Sequence, residues 1–181
     1  TKRAMNGELD FDEALIERVR LLKGLPKKII DNVLETRITL MPGAESLIKT
    51  MKNNGSYCAL VSGGFTDFTA AISKLLGFDE DRANTLMHEN EKLLGKVKFP
   101  ILGKQAKVDA LIDITKKQGY DYSDVIAVGD GANDLGMLIK AGMGVALHAK
   151  PIVAAQCSAR LNFANLEGLL YLQGYTDQEI I

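Results

Sequence analysis

The sequence predicts an α/β fold in which a parallel sheet carries helices on both of its faces. From Met41 onward, short apolar runs that are typical of buried strands alternate with segments whose apolar residues have helical spacing. Two of the predicted strands, 57–61 and 125–128, are followed directly by polar, glycine-rich segments. Strands that alternate with helices form parallel sheets, and such sheets bind ligands at the carboxyl ends of their strands.

Local patterns predict the individual elements in order. Phe11 and Leu15 begin a helical stripe over residues 10–22, which Gly24 ends, and Pro26 suits the first turn of a second helix. We expect that second helix to reach residue 36, and a hairpin to form from residues 85–89 and 96–99 around Gly95. Asn133 and Asp134 are expected to cap a helix that follows them. The remaining helices are predicted over 43–54, 65–76, 104–118, 151–157 and 165–173, and the remaining strands over 144–147 and 159–163.

Composition excludes several classes of function. The 181 residues are 46% apolar and 25% charged, which is typical of a globular protein. The net charge of −1 gives no reason to expect binding to nucleic acid or to a membrane surface. No apolar run approaches the roughly 18 residues that a membrane span requires. Cys58 and Cys157 lack the spacing of metal ligands, so we expect reduced thiols in a cytoplasmic protein.

An acidic cluster follows the predicted strand 125–128. Gly129 and Gly131 flank Asp130 and allow a tight turn, after which Asn133 and Asp134 occur at the predicted helix start. Carboxylate and amide oxygens at a strand end suit a hard cation such as Mg²⁺. The stretch therefore predicts a site for a metal ion and a phosphate group.

Two further features fit phosphate chemistry. Ser62, Gly63 and Gly64 follow the strand 57–61, and a hydroxyl with free N–H groups at a helix start can bind phosphate oxygens. The same tripeptide is equally compatible with a tight turn in which Ser62 caps the helix. Lys107 lies in the predicted helix 104–118; a single lysine is usually a solvated surface charge, but phosphoryl transfer benefits from a fixed cation. The combination with the acidic cluster is more informative than any one member.

Several motifs occur in a characteristic order: Val-Ser-Gly-Gly-Phe at 61–65, Gln-Ala-Lys at 105–107, Gly-Asp-Gly-Ala-Asn-Asp-Leu-Gly-Met at 129–137 and His-Ala-Lys-Pro at 148–151. They resemble the phosphoserine phosphatase family of the haloacid dehalogenase superfamily. Residues 7–15, with Arg18 and Val19, are similar to the cap of that family. The resemblance implies a small helical cap over residues 1–37 and a Rossmann-like, haloacid dehalogenase-like core over residues 38–181. The start of the cap and the first core strand are expected upstream of the sequence.

The resemblance implies a role for each matching residue. Asp130 would bind Mg²⁺, Asp134 would support the metal site, and Lys107 would neutralise the phosphate and the nucleophile. Arg18 would pair with a carboxylate of the substrate, a task that suits a bidentate guanidinium. Met5 and Phe11 would form an apolar wall of the cap. The implied substrate-binding residues are Arg18, Ser62, Gly63, Lys107, Asn133, Met5 and Phe11.

The sequence departs from the family at one motif. The family has Asp-x-Asp-x-Thr after an apolar strand, in which the first Asp is the nucleophile and the second is the general acid and base. Asp10-Phe11-Asp12 is not preceded by an apolar strand, and Ala14 stands where the motif has Thr. A capping box of Asp10 with Glu13 explains this segment better. We therefore expect both catalytic Asp residues upstream of Thr1.

The resemblance implies an Mg²⁺-dependent phosphatase that hydrolyses O-phosphoserine to serine and phosphate through an aspartyl-phosphate intermediate, the last step of serine biosynthesis. One alternative is a related small-molecule phosphatase or phosphotransferase. Another is a catalytically dead phosphate-binding fragment, if the nucleophile is absent. The only partner expected is the small-molecule substrate, and the sequence leaves the oligomeric state open. His88 and His148 are isolated in sequence, which favours packing or surface roles, although His148 lies nearer the predicted site.

Overall fold

The computed structural model of the chain describes residues 11–181, and the chain divides into two compact units. The first, which we call the Ser62 unit, comprises Ile16–Pro100 and Ala164–Ile181. The second, the Asp130 unit, comprises Thr1–Leu15 and Ile101–Phe163. The predicted boundary between a cap and a core near residue 37 stays a prediction.

The helices and strands alternate along most of the chain. The helices are α1 (Phe11–Arg20), α2 (Ile29–Arg37), α3 (Ala44–Asn53), α4 (Thr66–Leu76), α5 (Lys104–Gln118), α6 (Leu135–Lys140), α7 (Pro151–Ala154) and α8 (Gly168–Leu172). The strands are β1 (Ala59–Phe65), β2 (Glu80–Asn84), β3 (Leu86–Glu89), β4 (Lys92–Val97), β5 (Ile126–Gly129), β6 (Met143–Leu147) and β7 (Ala159–Leu161).

The Ser62 unit contains a parallel pair of strands and an antiparallel hairpin. β1 pairs with β2 in parallel, beginning at Ala59 opposite Glu80, and α4 packs against both strands. β3 and β4 form the hairpin, in which Leu86 lies opposite Val97. The apolar side chains that the unit buries include Val19 of α1 and Leu170 of α8.

The Asp130 unit is built on a parallel sheet of three strands in the order β5-β6-β7. α6 packs on β5 and β6, and α5 packs on α6. The core between these elements is formed by buried residues at Leu111, Ala127, Leu138 and Val153. Gly144 of β6 has no room for a side chain, since a Cβ there would lie 2.1 Å from the carbonyl oxygen of Leu138. The glycine thus permits close packing of helix on sheet.

The α/β class and the parallel pairing are confirmed, but several details differ from the sequence predictions. The parallel strands of the described residues form two sheets and not one. β1 continues to Phe65, beyond the predicted end at residue 61. The hairpin turns at Asn90 and Glu91, which both have positive φ angles, so Gly95 lies within β4. Within residues 11–181, no helix is long and apolar enough to cross a membrane.

Candidate active site

The turn after β5 presents Asp130 to solvent and buries the residues that support it. Asp130 is exposed, whereas Gly131 and Asp134 are buried. A Cβ on Gly129 would lie 2.6 Å from Cγ of Asp134, and one on Gly131 would lie 2.4 Å from Oδ1 of Asn133. Neither glycine has a positive φ angle. The glycines are therefore needed for the close approach of the side chains that follow, and not for the left-handed backbone of a tight turn.

Asp134 stabilises this turn from inside. Its Oδ2 accepts hydrogen bonds from the backbone N–H groups of Asp130, at 3.2 Å, and Gly131, at 3.0 Å. The prediction that Asp134 caps α6 with its side chain is wrong: the residue occupies the N-cap position, but it makes no side-chain cap bond. The carboxylate instead binds the turn that precedes the helix. Asp134 consequently determines the backbone conformation around Asp130.

The other oxygen of Asp134 forms a buried ion pair with Lys107. The Nζ atom of Lys107 lies 2.5 Å from Oδ1 of Asp134, and the two side chains are 10% and 4% exposed. Lys107 lies in the first turn of α5, four residues after Gly103, and so the cation is fixed relative to the turn after β5. A single lysine is usually a solvated surface charge, but Lys107 is buried. The sequence did not predict this pair, because the partners are 27 residues apart.

The oxygen ligands of the Asp130 unit limit how a metal ion could bind. Asp130 is the exposed carboxylate, while both oxygens of Asp134 already accept hydrogen bonds from protein groups. Within the described part of the chain, no group of three or more His, Cys, Asp or Glu residues is arranged to hold a metal ion. Mg²⁺ commonly takes only one or two carboxylates and keeps several water ligands. Asp130, exposed at the strand end, fits a direct ligand of that kind.

Ser62 and Gly63 lie in the other unit, inside β1 and not at a helix start. α4 begins at Thr66, and Phe65 is its N-cap residue, so the predictions that place Ser62 at a helix start or make it a helix cap are both wrong. The cause is the extension of the strand beyond residue 61. The Oγ atom of Ser62 accepts a hydrogen bond from the N–H of Gly64 at 3.0 Å. Any phosphate bound at residues 62–64 must therefore contact the end of β1 and not the N-terminus of a helix.

The structure brings together only part of the predicted site within one unit. Lys107, Asp130, Asn133 and Asp134 surround the turn after β5, and the Nδ2 atom of Asn133 lies 3.5 Å from Oδ1 of Asp134. Arg18 belongs to the Ser62 unit, where it lies exposed on α1.

Some of the predicted cap residues precede the described part of the chain, which begins at residue 11. Met5 and the capping residue Asp10 lie outside the described residues. Phe11 is half-buried beside Gly103, the residue before α5: a Cβ on Gly103 would lie 3.5 Å from Cδ1 of Phe11 and 3.1 Å from Oδ1 of Asp12. The first turn of α1 therefore packs at the start of the helix that carries Lys107.

The histidines and cysteines have local roles in the structure. His148 has a φ angle of 45°, and its Nδ1 lies 2.9 Å from the carbonyl oxygen of Asn162. His88 is exposed on β3. Both cysteines are free thiols; burial raises the pKa of Cys58 to about 11 and also raises the pKa of Cys157. Cys58 is buried and Cys157 is half-buried.

Comparison with known proteins agrees with these features. The family model of haloacid dehalogenase-like hydrolases matches residues 3–138. A phosphoserine phosphatase of Streptomyces coelicolor is 42% identical over 180 residues, which make up 99% of this chain and 44% of that protein. A phosphoserine phosphatase of Lactococcus lactis subsp. lactis is 43% identical over 180 residues, 99% of this chain and 83% of that protein.

A solved structure supports the same fold. It is a phospho-aspartyl intermediate analogue of phosphoserine phosphatase, and it matches with a TM-score of 0.88 and 40% sequence identity. The match covers 94% of this chain and 81% of that chain. The chain nevertheless spans about half the length of several curated relatives that it matches.

Proposed function

Because the chain belongs to the haloacid dehalogenase-like hydrolase family, we propose that the protein hydrolyses O-phosphoserine to serine and inorganic phosphate, as the last step of serine biosynthesis. The observation that carries this proposal is the buried pair of Lys107 and Asp134 behind the exposed carboxylate of Asp130. A fixed cation and a free carboxylate at one strand end suit the binding of a phosphate group with a metal ion. The similarity to curated phosphoserine phosphatases supports the choice of substrate.

Mg²⁺ is the proposed cofactor, and Asp130 is its proposed ligand in this chain. When bound, Mg²⁺ would offset the negative charge of the phosphoryl oxygens. Asp134 would support the site indirectly, because its oxygens hold the backbone N–H groups of Asp130 and Gly131 and the ammonium group of Lys107. It would therefore set the position of the Asp130 carboxylate without contacting the ion.

Lys107 would supply a positive charge that does not need to reorganise during the reaction. Its ammonium group is held by Asp134 and shielded from water, and electrostatic interactions are stronger in such surroundings. Asn133, Ser62 and the N–H of Gly63 would donate hydrogen bonds to the phosphate oxygens. The proposed aspartyl-phosphate route also needs the two Asp residues of the family's first motif, which we assign to no residue between 1 and 181.

Arg18 is the proposed determinant of substrate choice. It lies exposed on α1, and a guanidinium group can form two parallel hydrogen bonds with a carboxylate. Phosphoserine carries such a carboxylate, whereas phosphoethanolamine has the same phosphate and amine without it. Phe11 and Met5 would add apolar contacts that exclude water from the site.

The test compares these two substrates on the complete protein with Mg²⁺. We expect Arg18→Ala to lower kcat/KM for phosphoserine by about 10- to 100-fold, the value of a charge-assisted hydrogen bond, and to change kcat/KM for phosphoethanolamine by less than about twofold. Arg20→Ala is the matched control, since Arg20 is an exposed arginine of the same helix. It should leave both substrates unchanged.

Two results would contradict the proposal in different ways. Equal turnover of phosphoserine and phosphoethanolamine by the unaltered protein would favour a related small-molecule phosphatase. An absence of hydrolysis for every phosphomonoester, together with measurable binding of inorganic phosphate, would favour a phosphate-binding protein without catalysis.

A further inference from the structure

The ladder between β1 and β2 is interrupted at the tripeptide Ser62-Gly63-Gly64. The register passes from Val61 opposite Arg82 to Phe65 opposite Asn84. Three residues of β1 therefore stand against one residue of β2, Ala83. Such bulges release backbone groups from the regular ladder, and they are over-represented beside active sites. The released groups need other partners to hold a single conformation.

Side chains hold the peptide unit between Gly63 and Gly64 at both of its ends. The Nδ2 atom of Asn84 donates a hydrogen bond to the carbonyl oxygen of Gly63 at 3.0 Å. The N–H of Gly64 donates to the Oγ atom of Ser62, also at 3.0 Å. A glycine pair has the greatest backbone freedom of any dipeptide, so these two bonds restrict a segment that would otherwise be flexible.

The bond to Gly64 also determines what Ser62 can offer to a ligand. A hydroxyl has one hydrogen to donate, and here its oxygen already accepts from Gly64. The hydroxyl hydrogen of Ser62 remains the group that can donate to an anion. The N–H of Gly64, by contrast, is already used within the protein.

Asn84 is suited to this task by its burial and its lack of charge. It is 3% exposed at the end of β2, and its amide can donate to a carbonyl oxygen, which an ionised carboxylate cannot do. An aspartate at this position would place a negative charge against the carbonyl of Gly63 and close to any phosphate bound at residues 62–63. The sequence gives no local sign of this contact, because the two residues are 21 positions apart.

We infer that Asn84 is a positioning residue for phosphate: it holds the Gly63–Gly64 peptide so that the donors of Ser62 and Gly63 keep one arrangement. This inference rests on the proposed function, since it takes phosphate to be the group that residues 62–63 bind. It predicts that Asn84 affects affinity for the phosphate group that all substrates share. It should not affect discrimination by the substrate carboxylate.

The test uses inorganic phosphate as a probe. Its affinity for the protein is measured from product inhibition and directly by calorimetry. Asn84→Asp should weaken phosphate binding by at least about tenfold and raise KM by a similar factor, with a smaller change in kcat. Asn84→Ala should weaken it by about three- to tenfold. The ratio of kcat/KM for phosphoserine to that for phosphoethanolamine should stay unchanged, which a general loss of structure would not ensure.

Asn54→Asp is the matched control. The Nδ2 atom of Asn54 also donates to a backbone carbonyl, that of Thr50 at 2.8 Å, at the end of α3. It should leave phosphate affinity unchanged. If Asn84→Asp does not fold, Asn84→Ala decides the question in the same assay.

The outcomes separate this inference from the proposed function. Unchanged phosphate affinity in a folded Asn84 variant would overturn the inference, even if the protein hydrolyses phosphoserine. If the unaltered protein hydrolyses no phosphomonoester but binds phosphate in an Asn84-dependent way, the inference stands and the proposed function fails.

Discussion

Replacement of Lys107 by methionine should destabilise the protein far more than replacement of Lys117 by methionine in the same helix. Both lysines belong to α5 and both form an ion pair, Lys107 with Asp134 and Lys117 with Asp113. Methionine keeps the length of the apolar stem and removes the charge. The two substitutions therefore differ chiefly in the surroundings of the carboxylate that is left behind.

The expected magnitudes follow from exposure. The side chains of Lys107 and Asp134 are 10% and 4% exposed, whereas those of Lys117 and Asp113 are 61% and 44% exposed. Loss of one partner from a buried pair leaves an uncompensated charge and costs about 3–5 kcal/mol. Loss of an exposed pair four residues apart on a helix costs about 0.3–0.5 kcal/mol. At about 2–4 °C per kcal/mol, Lys107→Met should lower Tm by roughly 6–20 °C.

Urea unfolding of both variants measures this difference directly. Adding Asp134→Asn to Lys107→Met should recover part of the lost stability, since the buried group is then uncharged. If Lys107→Met costs no more than about 1 kcal/mol above Lys117→Met, the carboxylate of Asp134 does not depend on the lysine. Asp134 and Lys107 would then not form a fixed unit behind Asp130.

Three further outcomes test the surroundings of Asp79, Cys58 and Gly129. Burial alone would raise the pKa of Asp79, but hydrogen bonds from Lys52 and from the N–H of Cys58 outweigh it and lower the pKa. The ionised Asp79 therefore stabilises the folded protein. This stabilisation is complete above the unfolded pKa near 4 and is lost as pH falls through the folded pKa. Asp79→Asn should accordingly cost about 1 kcal/mol at pH 7 and little near pH 3 in urea titrations. The raised pKa of Cys58, about 11, predicts negligible alkylation at pH 8 until the protein unfolds, as mass spectrometry would show. Gly129→Ala should cost about 1–3 kcal/mol in thermal unfolding, because its Cβ would lie 2.6 Å from Asp134.

Elements with strong local signals could be predicted from the sequence. The helix expected over residues 104–118 is found as Lys104–Gln118, and Gly119 ends it with a φ angle of 73° and N–H bonds to the carbonyls of Thr115 and Lys116. Gly77 ends α4 in the same left-handed conformation. A residue without Cβ adopts this conformation at little cost, so glycine after an amphipathic stretch marks a helix end dependably.

Elements without an apolar pattern could not be predicted in this way. β2 has the sequence Glu-Asp-Arg-Ala-Asn, which lacks the β-branched and aromatic residues that usually indicate strands. It forms because it pairs with β1 and packs under α4. The same tertiary pairing extends β1 through Ser62 and two glycines, residues that favour turns when considered alone. Tertiary contacts therefore decided the local structure at one half of the predicted site.

The two supporting side chains differ in chemistry because they hold opposite backbone groups. Asp134 faces hydrogen-bond donors, the N–H groups of Asp130 and Gly131 and the ammonium group of Lys107. Asn84 faces an acceptor, the carbonyl of Gly63. A carboxylate can only accept hydrogen bonds, whereas an amide accepts at its oxygen and donates at its nitrogen. Asn84→Asp therefore loses the bond to Gly63, and Asp134→Asn places a donor against either the ammonium group of Lys107 or the backbone N–H groups. Asp and Asn are both common in turns, and the contacts that distinguish them here include partners 27 and 21 residues away.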